Sequence, residues 1–142
     1  VYTTAAFWLR SNLGRVDEAE AFLRQGLKHN PNHPQLLFEL GQLYEQNRRD
    51  DARARRIWEL ALEHGRQRLQ STTDPMERRG GEYLLEQILG RLARVEERHG
   101  NLAGALRYLE GLRLFTPRPE IIDQQIAELR ARLPQTNAVP RQ

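Results

Sequence analysis

The chain has 142 residues, of which 22 are basic and 19 acidic, for a formal charge of +3. That length suits one compact domain or one short repeat array, and the net field is too weak to mark a nucleic-acid binder by itself. The absence of cysteine excludes disulfides, thiolate metal sites and a cysteine nucleophile, and no apolar run nears the roughly 20 residues needed to cross a bilayer.

Apolar residues recur at helical spacing almost throughout, and alternating Val/Ile/Thr runs are missing, so the fold class is all-α. In chain order the pattern predicts helices over 2–13, 16–29, 33–47, 50–70, 75–99, 101–115 and 119–133. His29, His64 and His99 precede Asn30, Gly65 and Gly100 and are read as last-turn residues, with the Asn or Gly taking a left-handed conformation beyond. Asp50 and Asp51 read as N-capping carboxylates. Asp74-Pro75-Met76-Glu77 is a helix start, with a capping carboxylate, a proline at the first position and a glutamate placed for a capping box. Pro119 opens the last helix in the same way. Gly80-Gly81 marks a kink or a late start, at about 1 kcal/mol per glycine relative to alanine. The segment after Leu133, with two prolines and no periodicity, reads as a flexible tail over 134–142.

Self-comparison places Gly14, Ala19 and Pro31 against Gly100, Ala105 and Pro117, an offset of 86 residues, and Ala19, Leu23 and Leu27 against Ala54, Trp58 and Leu62, an offset of 35. With Leu37-x-x-Leu40-Gly41-x-x-Tyr44 ahead of Ala54 and Trp58, and Leu89, Leu92 and Ala93 ahead of Ala105 and Leu109, the chain resembles tetratricopeptide-repeat proteins, whose helical hairpins repeat about every 34 residues. The resemblance covers about residues 2–133, most weakly in the first copy, where Arg10 stands in the usual tyrosine place. It implies a right-handed α-solenoid of antiparallel helix pairs: about three repeats over 1–133, with Ile122, Ile126, Leu129 and Leu133 on a C-terminal capping helix. The third copy lags by 17 residues more than one period, which predicts a lengthened hairpin over 66–82 between the second and third repeats. With Leu69 and Met76 as its only large apolar residues, this hairpin is expected to project past the core with a mobile tip near Ser71 to Asp74.

The resemblance further implies that the first helix of each unit lines a groove for a partner peptide or helix. The contact residues it designates are Trp8, Phe38 and Gln42, followed by Arg91, Arg94 and Arg98, which fall on one helical strip with Glu86 and Glu97 in another sector. Arginines so placed suit a protein or peptide partner of acidic character; a solvated face with local ion pairs is the competing reading of the strip, and burial that of the aromatics. A lysine clamp for a partner's terminal carboxylate is not matched, because Phe38 and Gly90 occupy the expected lysine places. Arg48, Arg49, Arg53, Arg55 and Arg56 form a second basic cluster, diluted by Asp50 and Asp51.

No nucleophile–base pair, phosphate loop or dinucleotide motif is present, and His29 and His33 flank a turn at Pro31, so neither catalysis, nor a metal, nor a cofactor is expected. A pI of 9.8 mostly reports arginine, since Lys28 is the only lysine. The expected function is a non-enzymatic interaction scaffold. The alternative is an RNA-binding or RNA-processing repeat, because Ala52 to Leu62 also resembles half-repeats of RNA-processing factors; nucleic acid is disfavoured by the small net charge. A first residue Val1 points to a fragment or processed product. Cytoplasm and periplasm both suit the composition, with or without an upstream tether, and the sequence does not set the oligomeric state.

Overall fold

The computed structural model describes residues 2–11 and 14–133; the tail expected at 134–142 lies outside them. The described residues form seven helices and no strand: α1 (Tyr2–Ser11), α2 (Val16–His29), α3 (Pro34–Gln46), α4 (Asp51–Ser71), α5 (Pro75–Arg98), α6 (Leu102–Arg113) and α7 (Pro119–Arg132). The chain divides into two compact units, Val1–Ile88 and Leu89–Gln142, with the boundary inside α5. In the first unit α1 packs on α2, α2 on α3, and α3 on α4; in the second, α6 packs on α7.

The boundaries follow from local chemistry. The Asp50 carboxylate accepts from Arg53 N at 3.1 Å, Asp74 from Glu77 N at 3.0 Å, and Asn101 from Gly104 N at 3.0 Å, each satisfying one of the orphan donors of a first turn. Positions matched by the internal offsets sit in like environments. Ala19, Ala54 and Ala105 are fully buried, and Leu23, Trp58 and Leu109 are buried beside them. Gly14, Arg49 and Gly100 all have positive φ, at 65°, 55° and 83°. The middle turn thus holds an arginine in a left-handed conformation that glycine adopts at lower cost.

Several expectations need correction. His64 is not a last-turn residue, because α4 continues to Ser71. Gly65 serves close packing instead: a Cβ there would lie 2.9 Å from Leu85 Cδ2. Asn30 is not left-handed, with φ −136°. Gly80-Gly81 does not delay α5, which starts at Pro75 and runs through both glycines.

The lengthened hairpin also has packing of its own. Met76 is exposed, but Leu69 is buried, and its Cδ1 would lie 3.2 Å from a Cβ at Gly81. Arg78 Nη1 donates to the carbonyls of Leu69 at 2.9 Å and Thr72 at 3.0 Å. One side chain of α5 therefore closes the open carbonyl end of α4.

Candidate functional site

The expected contact residues fall into two groups, one in each unit. In the first unit, Ala6 and Leu9 are buried and turn Phe7 and Trp8 outward, 49% and 56% exposed. Arg10 fixes this helix to the end of α3 by donating to Gln46 Oε1 at 2.7 Å and Asn47 Oδ1 at 3.3 Å. Phe38 is buried: its ring centroid lies 6.4 Å from that of Trp58, and its carbonyl accepts from Trp58 Nε1 at 3.1 Å. Gln42, one turn on, is half-buried. The open apolar surface of this group is therefore Trp8 with its neighbour Phe7.

In the second unit, the buried Leu92, Ala93 and Val95 set the rotation of α5. Arg94 and Arg98 are exposed and Arg91 is half-buried; Arg91 and Arg98 also have partners within the chain. The adjacent acids separate by face. Glu96 is buried and accepts from Asn101 Nδ2 at 2.9 Å, while Glu97 is exposed and accepts from Arg132 Nη1 at 2.6 Å.

Arg48 and Arg53 of the second basic cluster are tied into the fold. Arg48 Nη2 donates to Asp17 at 2.6 Å and to Glu20 at 2.9 Å. Tyr44 OH donates to Glu20 Oε2 at 2.6 Å and accepts from Arg24 Nη2 at 2.6 Å, while the Arg53 guanidinium lies 5.4 Å from the Tyr44 ring centre. Sequence reasoning read Tyr44 as a repeat-motif residue and missed this network, because the hydrogen bonds that tie Tyr44 and Arg48 to α2 span 20 to 31 residues and no local spacing reveals them.

Burial acts to raise the Glu20 pKa, but hydrogen bonds from Tyr44, Arg48 and Arg24 outweigh it and hold the carboxyl at about 2, against an ordinary 4.5. A depressed folded-state pKa stabilises above the unfolded value, and that stabilisation is lost as pH falls through the folded value. Stability is thus expected to decline between about pH 5 and 2 by on the order of 2 kcal/mol from this group, after allowance for solvent screening. Urea midpoints of wild type and Glu20→Gln across that range check this: the variant should lose part of the acid slope, and identical slopes would contradict the assignment.

Among the described residues no group of three or more His, Cys, Asp or Glu side chains is placed to hold a metal ion. No described helix is long and apolar enough to cross a membrane. Residues 3–43, from α1 into α3, match a family model described as tetratricopeptide repeat. The comparison with curated proteins finds no match.

Proposed function

We propose that the chain is an interaction scaffold for a peptide or helical segment of a partner protein, on the tetratricopeptide-repeat match over residues 3–43, a family that is typically non-enzymatic and whose repeats generally mediate protein–protein contacts. The observation that carries this reading is the exposed aromatic pair on α1, Phe7 and Trp8. Large apolar side chains left open on a helix that is otherwise packed mark an interaction surface more strongly than scattered single residues do. Gln42 supplies an adaptable hydrogen-bonding group. Arg91, Arg94 and Arg98 give the partner its acidic character, through charge-assisted hydrogen bonds to carboxylates.

The competing occupant is RNA, held by phosphate contacts, and salt separates the two. Phosphate-driven binding falls steeply with ionic strength, whereas an apolar anchor does not. Partner capture on the immobilised chain, with and without nuclease, is expected to survive nuclease treatment and to weaken by about tenfold in Trp8→Ala, the effect of losing an aromatic hot spot. Capture abolished by nuclease and unchanged in Trp8→Ala would overturn the proposal in favour of RNA.

A further inference from the structure

In the first unit, a cleft of ≈ 490 Å³ opens where the start of α3 meets the lengthened hairpin of α4 and α5. Its walls carry His33, Arg68, Glu77 and the backbone of Gly80. Burial, followed by the nearby Arg68 charge, lowers the His33 pKa, so the imidazole is neutral at pH 7 and the charges facing the cleft are Arg68 and Glu77. Both are exposed, and neither makes an ion pair among the described residues.

Gly80 is the telling residue. Glycine weakens a helix interior, and three reasons can keep it there: a positive φ, a close approach within the chain, or a close approach by something else. Gly80 does not have a positive φ, and a Cβ built on it meets nothing within 4 Å. Gly81, by contrast, is accounted for by Leu69. On the same stretch of α5, Met76 and Tyr83 stand at i−4 and i+3 from Gly80 and are 76% and 63% exposed. A glycine dip between an exposed methionine and tyrosine, beside a cleft with opposite charges on its walls, has the form of a seat for another chain.

We infer that this cleft binds a short extended segment of a partner protein, with an acidic side chain against Arg68, a basic side chain against Glu77, its backbone close over Gly80 and an apolar side chain on the Met76–Tyr83 rim. The volume lies within the range of pockets that enclose drug-sized ligands, the bulk of about three or four peptide residues. The residues are distinct from Phe7, Trp8 and the α5 arginines, so the two surfaces can fail separately.

The test is selection from a phage-displayed library of random seven-residue peptides on the full chain, followed by titration of the enriched peptides. Enriched sequences should pair an acidic and a basic residue around an apolar one. Their affinity should fall by at least about tenfold in Gly80→Leu and in Arg68→Glu, and change by less than about twofold in Trp8→Ala. Peptides with the two charges exchanged should bind Arg68→Glu/Glu77→Arg better than the original peptides do. Gly80→Ala guards against misfolding: it should melt higher than wild type and bind more weakly. No enrichment over an unrelated control protein, or enriched peptides that bind Gly80→Leu or Arg68→Glu as tightly as wild type, overturns the inference.

Discussion

Trp58→Ala is expected to destabilise the first unit by about 3–5 kcal/mol, the range for deleting a fully buried aromatic side chain. Trp58 is the largest fully buried side chain. The truncation removes its contact with Phe38 and leaves the Phe38 carbonyl without the indole donor it receives at 3.1 Å, so a desolvation penalty adds to the cavity. Since a domain is stable by only about 5–15 kcal/mol in total, the variant should stand near the edge of folding. Denaturant unfolding followed by circular dichroism, with amide exchange on α3 and α4, reads the loss. A change below about 1 kcal/mol would contradict the assigned packing.

Gly41→Ala should be nearly as damaging, although alanine is the better helix former by about 1 kcal/mol. An added Cβ would lie 2.3 Å from Trp58 Nε1 and 2.5 Å from Cδ1, far inside van der Waals contact. The indole cannot swing away, being fully buried and hydrogen-bonded to Phe38. Overpacking of this kind costs about 1–3 kcal/mol, and here the upper end or more is expected. Because the clash is with one side chain, Gly41→Ala combined with Trp58→Leu should be less destabilised than the sum of the two single variants. Strict additivity would show that the close approach of α3 and α4 is not what glycine serves at this position.

The helices were legible because their signals are local. Asp50 and Asp74 cap as their sequence context implies, and Leu40, Tyr44, Ala54, Trp58, Leu92, Ala105 and Leu109, which carry the repeat pattern, are all buried. What escaped depends on which residues meet across the chain. Gly65 resembles a helix terminator after His64, and only the neighbouring Leu85 reveals it as a packing residue. Arg49 carries no sign of a left-handed turn except its alignment with Gly14 and Gly100. The Glu20–Tyr44–Arg48 network needs α2 and α3 to be docked before it exists. In the candidate site, α1 periodicity did not decide between burial and exposure for Trp8, since either face of so short an apolar helix can turn inward; Ala6 and Leu9 settle the choice. The same ambiguity at Phe38 resolves toward the core.

The central claim, that these helices present a surface to a protein partner, is tested most directly by site-specific photocrosslinking in the protein's native extract. A photoreactive residue replaces Trp8 or Arg94, both exposed, with Arg56 on α4 as an exposed control position. The account predicts discrete protein adducts at Trp8 and Arg94 that resist nuclease and are absent at Arg56. Adducts to nucleic acid alone, or the same protein adducts at all three positions, would contradict it.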